Sequence, residues 1–284
     1  MPGSASTVDT VVAANSTLPN GLAVALWAPR SGADLPVVVL IHGSHTHPGM
    51  YNDLASLLAD RGFVVVAPEQ EREVFGDKAY YPQQAFVNWA LDFAAAENQR
   101  PDSVVHGRLD LTKSYLIGHS MGGGTALGIT GDFDQFGLVV DPWSRPESLI
   151  ATVVMGTHNI PPPRTGDPIP VTNKVPLAFF QGSIDSVVTL DQSERTFAVV
   201  NGVTPRMFVT VEGGNHFFMT DVDNPPGVNE DKAAMGLAQD LSVHSVAHWI
   251  VVWFRAAAGD AMSREALMDR GPLLEPHLKA TIVE

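Results

Sequence analysis

Ser120 stands at the centre of Gly118-His119-Ser120-Met121-Gly122, a G-x-S-x-G pattern between the apolar run 114–117 and a stretch of helical character. A serine on a tight strand-to-helix turn has its hydroxyl exposed. Small residues two before and two after relieve the crowding, and the helix aims its free N–H groups and dipole at the same point. The chemistry this suits is nucleophilic attack. Because a serine hydroxyl is a weak nucleophile at neutral pH, it needs a base to take its proton and an acid to orient that base. Both residue types follow in the chain. Asp185, in Gly182-Ser183-Ile184-Asp185, comes directly after the apolar run 177–181, and His216, in Gly213-Gly214-Asn215-His216, directly after 207–211. Each lies at the carboxyl end of an expected strand, where groups distant in sequence converge above a sheet. Asp141, in Val139-Val140-Asp141-Pro142-Trp143, is a rival acid if 137–140 is the next central strand. Asp185 is preferred, because 149–155 is the longer strand candidate and leaves 136–146 as an inserted loop.

Acyl transfer also needs donors for a developing oxyanion. The run 37–40 leads into Ile41-His42-Gly43-Ser44, a turn that can present the Ser44 N–H, and the N–H of Met121, directly after the nucleophile, is the natural second donor. Tyr51, His119 and Phe217 sit on or beside the same loops and are read as flat or apolar surfaces for a substrate; Phe218 is read equally as packing. His42, His45 and His47 are close together but lack an acidic cluster or strand-plus-helix ligand spacing, so no metal and no cofactor is expected. His42 is read instead as a packed or hydrogen-bonding loop histidine. Asp221, Asp223, Glu230 and Asp231 form an acidic group after His216 without the spacing of a calcium loop, and read as a solvated turn and helix start.

The elements that must position these residues follow from hydrophobic patterning. Short β-branched runs at 22–27, 37–42, 63–67, 114–118, 149–155, 177–181 and 207–211 alternate with helical stretches at 51–59, 82–95, 122–129, 190–200 and 231–257. This alternation predicts an α/β fold with a mostly parallel central sheet and helices on both faces. Leu237, Leu241, Trp249 and Trp253 recur near helical spacing, so Trp249 and Trp253 read as core rather than ligand contacts. The breaker-rich stretch 159–174 reads as a long surface loop and a candidate binding-site wall. No linker or repeat divides the chain, so one domain over 1–284 is expected, with 1–20 loosely ordered.

Composition narrows the partners. The 284 residues include no cysteine, which excludes disulfides, thiolate metal sites and a cysteine nucleophile. A formal charge of -14 disfavours nucleic acid and anionic membrane surfaces, and fits neutral or apolar substrates better. Residues 1–20 lack a basic start followed by an apolar run, so the chain reads as cytoplasmic as written, or secreted if it is a mature form. Its apolar runs, such as 249–254, are far short of the ~20 residues of a membrane span.

His42-Gly43, Tyr51 with the helix after it, Arg61-Gly62-Phe63-Val64-Val65-Val66-Ala67-Pro68 and Gly118-His119-Ser120-Met121-Gly122-Gly123-Gly124 together resemble the α/β-hydrolase superfamily over nearly the whole chain. The resemblance is to its lidless esterases: chlorophyllases, bacterial cutinases and polyester hydrolases, and dienelactone-hydrolase-like proteins. It implies an α/β-hydrolase fold without a lid domain, a triad of Ser120, Asp185 and His216, and oxyanion donors at Ser44 and Met121. There are departures. Bacterial cutinases commonly carry an aromatic residue where Ser44 stands and many have a carboxy-terminal disulfide; chlorophyllases often have Arg where Met121 stands. The function expected is hydrolysis of small-molecule or polymeric carboxylic esters, neutral and moderately hydrophobic, through an acyl-serine and in a cutinase-like manner. Alternatives are a chlorophyllase-like enzyme, a lactone or thioester hydrolase, a perhydrolase, or a catalytically silent ligand-binding member of the fold.

Overall fold

The computed structural model describes residues 10–74, 76–135, 139–270 and 273–284, with no account of the Arg270 side chain. In chain order the elements are β1 (Val11–Thr17), β2 (Ala23–Pro29), β3 (Leu35–Ile41), α1 (Asn52–Asp60), β4 (Val64–Pro68), β5 (Glu71–Val74), β6 (Asp77–Tyr80) and α2 (Phe86–Gln99). They continue as β7 (Leu109–His119), α3 (Met121–Gly131), β8 (Leu149–Met155), β9 (Val171–Asn173), β10 (Leu177–Gly182), α4 (Leu190–Ala198), β11 (Val200–Gly202) and β12 (Arg206–Val211). The chain closes with α5 (Gln239–Ala257), α6 (Ala261–Arg270), β13 (Leu273–Glu275) and β14 (Leu278–Val283).

Ten strands form one sheet in the order β1-β2-β4-β3-β7-β8-β10-β12-β14-β13. The six from β4 to β12 are parallel, and the outer pairings are antiparallel. This is the α/β-hydrolase fold that the sequence predicts. β3 shows why its sequence is apolar throughout. Val38 and Leu40 point into a core shared with Leu54 and Leu58 of α1 and Trp253 of α5, while Val37, Val39 and Ile41 point into a second core with Phe86 and Ala90 of α2 and Leu127 of α3. A strand covered on both faces has no solvent side to alternate with.

Register brings the loops that matter to one edge. Ile41 pairs with Gly118, His119 with Met155, Phe180 with Met155, and Gly182 with Val211, so β3, β7 and β8 end within one residue of each other and β10 and β12 run two residues further on the same edge. The turns that follow them therefore open side by side.

Several expectations are corrected. The helix expected over 231–257 begins only at Gln239, because the segment before it bonds to the loop of His216 instead. Gly236 N–H donates to Gly213 O at 2.8 Å, and Asn215 Nδ2 donates to Ala233 O at 2.8 Å. Leu237 accordingly lies outside α5, and Leu241 is 45% exposed, whereas Trp249 and Trp253 are core. The helix expected over 82–95 starts at Phe86, since the buried Gln83 and Gln84 direct their amides to Gln70 Oε1 and Phe133 O. The stretch 190–200 leaves the helix at Ala198, and Val200 enters a short parallel pair with β9. Of the residues expected to be loosely ordered, 11–17 form an edge strand paired with β2, and 1–9 lie outside the described residues.

Candidate active site

Ser120 sits between the last residue of β7 and the first of α3, with φ 54° and ψ -118°. A non-glycine residue there is strained, and its surroundings must hold it. They do so by close backbone contact. A Cβ on Gly118 would stand 2.2 Å from Gly122 O, and one on Gly122 would stand 2.3 Å from both Ile41 O and His42 O. Only glycine lets α3 start so near the ends of β3 and β7. Ser120 N–H donates to Met155 O at 2.8 Å, and Thr157 Oγ1 donates to Ser120 O at 2.8 Å, which ties the turn to the end of β8.

Asp185 and His216 meet Ser120 from the neighbouring strand ends. Ser120 Oγ lies 2.9 Å from His216 Nε2, and His216 Nδ1 lies 2.8 Å from Asp185 Oδ2. An ionised carboxylate only accepts, so Nδ1 carries the proton and Nε2 is free to accept from the serine hydroxyl. Asp185 is 4% exposed, and all of its hydrogen bonds suit the charged form. Oδ1 accepts from Val187 N at 2.9 Å and Val188 N at 2.8 Å, and Oδ2 also accepts from Gln181 Nε2 at 3.0 Å. Gln181 is fixed in turn by the Ser193 hydroxyl, which donates to its Oε1 at 2.6 Å. Asp141 has no such position: it is a half-buried loop residue whose N–H donates to Gln83 Oε1. The strand beside β7 is Leu149–Met155; of the alternative strand 137–140, residues 137 and 138 lie outside the described residues.

Ser120 and His216 line a cleft of about 560 Å³, and Asp185 stands behind His216 outside the lining. Ser44 and Met121 both line it beside Ser120. A Cβ on Gly43 would be 3.1 Å from Ser120 Cβ, so the Gly43–Ser44 turn is pressed against the nucleophile turn, and Met121 is the first residue of α3, where helix amides lack internal partners. Phe217, Ile160, Pro161, Val187 and Val188 give the cleft apolar walls, so the loop 159–174 does border it. Arg164 and Asp134 bring one charge of each sign to the lining.

Two residues expected to face a substrate are placed differently. Tyr51 is fully buried and stands behind the cleft lining. Its hydroxyl lies 2.7 Å from His119 Nδ1 and 2.8 Å from Thr46 Oγ1, and accepts from Gly43 N at 3.4 Å. His119 borders the cleft but is also fully buried, with Nε2 donating to His216 O at 3.0 Å, so Nδ1 accepts from Tyr51. Burial, together with the adjacent His216, holds His119 well below the usual histidine range, and the ring is neutral. Phe218 is fully buried in the core. His42 is a packed histidine: it donates from Nδ1 to Gly43 O at 2.7 Å, contacts the Phe86 ring, and burial lowers its pKa to about 4. Among the described residues, no group of three or more His, Asp or Glu side chains could hold a metal ion.

Sequence reasoning missed the supports of the site. His158 lines the cleft, its pKa lowered to about 4 by burial and by Arg164. Gln181 is the last apolar-run residue before the acid, and its polarity inside a buried strand was the available signal. The acidic group after His216 is not a solvated turn. Asp223 accepts from Asn215 Nδ2 at 2.7 Å, Asp221 accepts from Asp53 N at 2.9 Å, and Asp231 accepts from His216 N at 2.8 Å. Burial works against the charge on Asp231, but the Ser186 hydroxyl and the amides of Ala233, His216 and Ser186 outweigh it, so its carboxyl titrates below the ordinary range.

No described helix is long and apolar enough to cross a membrane. No curated protein matches the chain. A family model described as Chlorophyllase matches residues 2–139, just under half of the 284 residues, and this stretch contains β1 to β7, the Gly43–Ser44 turn and Ser120. The chain is thus similar, through its amino-terminal half and the nucleophile turn, to a family of α/β-hydrolase type whose activity is ester hydrolysis.

Proposed function

We propose that this chain hydrolyses carboxylic esters through an acyl-serine intermediate, with Ser120 as nucleophile, His216 as general base and acid, and Asp185 as the acid that fixes the imidazole. The observation that carries this reading is the continuous hydrogen-bonded line from Ser120 Oγ, in the cleft lining, through His216 to the buried Asp185. As Ser120 Oγ bonds to the ester carbonyl carbon, its proton passes to His216 Nε2. The oxyanion that forms is stabilised by the N–H groups of Ser44 and Met121. Collapse breaks the bond to the leaving oxygen, which takes the proton from His216. Water, deprotonated by the same Nε2, then attacks the acyl carbon and releases Ser120. Asp185 holds the charge and tautomer of the ring throughout and is never itself protonated.

The apolar walls at Ile160, Val187, Val188 and Phe217 support neutral, moderately hydrophobic esters as the substrate class. The test is turnover of p-nitrophenyl esters of increasing acyl length, with a neutral ester and an anionic analogue of equal size compared at low and high salt. Higher kcat/KM for the neutral ester supports the reading. A preference for the anionic analogue at both salt concentrations would overturn the substrate class and assign Arg164 to a substrate carboxylate.

A further inference from the structure

Asp231 lies 15 residues after the base in the same connection between β12 and α5, and it reaches across to the loop that delivers the acid. Its carboxylate is 4% exposed and faces two backbones. One side is the base: His216 N–H donates to Oδ2 at 2.8 Å. The other is the residue next to the acid: Ser186 N–H donates to Oδ2 at 3.1 Å and to Oδ1 at 3.3 Å, and the Ser186 hydroxyl donates to Oδ1. A fourth donor, Ala233 N at 2.8 Å, turns the carboxylate toward the loops. The Asp231 backbone is held in its turn by Asn224, whose Oδ1 accepts from Asp231 N at 2.7 Å and whose Nδ2 donates to Asp231 O at 3.1 Å.

We propose that Asp231 is a positioning residue for the reaction assigned above: by binding Ser186 and His216 to one carboxylate, it fixes the separation of the Asp185 and His216 side chains. The inference rests on the hydrolase reading. Its physical basis is that strand pairing stops at Gly182 and Val211 and the last backbone bond between the two loops is Ile184 N–H to Gly214 O at 3.1 Å, so from Asp185 and His216 onward Asp231 is the group that ties Ser186 to His216. A carboxylate is suited to the task because two oxygens accept several N–H donors at once, and charge-assisted bonds are short and directional. An amide keeps one acceptor and must turn its NH2 toward a backbone N–H, so one loop loses its anchor.

The experiment measures kcat and KM for a neutral p-nitrophenyl ester with the parent chain and with Asp231→Asn, Asp231→Ala, Ser186→Ala and Asp221→Asn. It also records the low-field 1H NMR resonance of the His216 Nδ1 proton. Misplacing a catalytic group by a fraction of an ångström lowers turnover without changing substrate contacts, so kcat should fall about tenfold in Asp231→Asn and about 100-fold in Asp231→Ala, with KM within about twofold of the parent. Ser186→Ala, which removes one link of the bridge, should lower kcat about threefold, and serves if Asp231→Ala does not fold. The Nδ1 proton should shift or broaden in every variant that lowers kcat. Asp221→Asn removes a half-buried carboxylate anchored to α1 instead, and should leave kcat within about twofold. Unchanged kcat in both Asp231 variants, a loss confined to KM, or a fall in kcat with an unmoved Nδ1 proton would overturn the inference. A parent chain without esterase activity would overturn the hydrolase reading instead, and the NMR comparison would still decide whether Asp231 positions His216.

Discussion

The turn that carries Ser120 and the loops that carry Asp185 and His216 end within hydrogen-bond reach of each other but are held by different forces. At Ser120 the fixing contacts are backbone on backbone, with Gly118 and Gly122 leaving no space for a side chain against the carbonyls of residues 41, 42 and 122. The loops of Asp185 and His216 also leave the sheet backbone on backbone, a Cβ on Gly182 standing 2.3 Å from Gly214 O, but beyond that point the acid and base are fixed by side-chain hydrogen bonds, from Gln181 to Asp185 and from Ser186 and His216 to Asp231. Close backbone packing tolerates one residue type at fixed spacing. Side-chain bridging can be met by many residues at many spacings, so the two regions differ in how much of their construction a sequence displays.

The largest effect should come from cutting the line of hydrogen bonds itself. Ser120→Ala and His216→Ala should each lower kcat/KM by about 10³-fold or more, and the double variant should lose little beyond either single one, as measured by steady-state ester hydrolysis. Asp185→Asn should lower kcat by about 10³- to 10⁴-fold, because the ring then favours the wrong tautomer, while Asp141→Asn stays within about twofold of the parent. An inactive Asp141→Asn beside an active Asp185→Asn would assign the acid to the other loop.

Stability separates the two regions more directly. Gly122→Ala should destabilise the fold by more than about 3 kcal/mol, because a Cβ cannot sit 2.3 Å from two carbonyl oxygens without moving α3. Ser186→Ala should cost less, about 1.5–3 kcal/mol, the range for one hydrogen bond to a charged group. Urea unfolding of the two variants measures the contrast, and equal losses would remove it.

Acid should weaken the fold through its buried histidines. His42 and His158 titrate at about 4 in the folded chain, and His119 lies well below its usual range, while all three take up protons near 6.5 when unfolded. The unfolded state binds more protons in that interval, so stability falls as pH drops from about 6.5 toward 4, by on the order of 3 kcal/mol for His42 alone. Denaturant midpoints between pH 7 and pH 4 give the slope. His42→Gln, if it folds, should flatten the curve, and an unchanged slope would count against burial as its cause.

Smaller effects lie behind the cleft. Tyr51→Phe leaves His119 Nδ1 without its donor, which should cost about 1–3 kcal/mol of stability and alter kcat/KM by less than tenfold. Prolonged EDTA treatment should leave ester hydrolysis unchanged. Activity lost to the chelator and restored by zinc would replace the serine mechanism.

These contrasts show why the sequence was informative in some places and silent in others. The sheet was legible because strands covered on both faces must be apolar throughout, as in Val37-Val38-Val39-Leu40-Ile41. The positions of Ser120, Asp185 and His216 were legible because each lies just past the carboxyl end of a strand that carries an apolar run. The acidic group ending at Asp231 was misread, since its composition suits a solvated turn, and only the fold shows that Asp221, Asp223 and Asp231 accept from Asp53 N of α1, Asn215 Nδ2 and His216 N. Tyr51 was misread for the complementary reason. An aromatic residue after a binding turn suits a substrate wall, but a phenol hydroxyl can equally be buried where it bridges Thr46 and His119.

The measurement that tests the central claim most directly is covalent trapping of the nucleophile. The chain would be treated with an aryl phosphonate ester, the modified residue mapped by peptide mass spectrometry, and residual hydrolysis followed in parallel. The account predicts a single stoichiometric adduct on Ser120, formed in step with loss of activity, absent in Ser120→Ala and much slower in His216→Ala. An active chain that hydrolyses esters with Ser120 unmodified, or with the adduct on another residue, would contradict it.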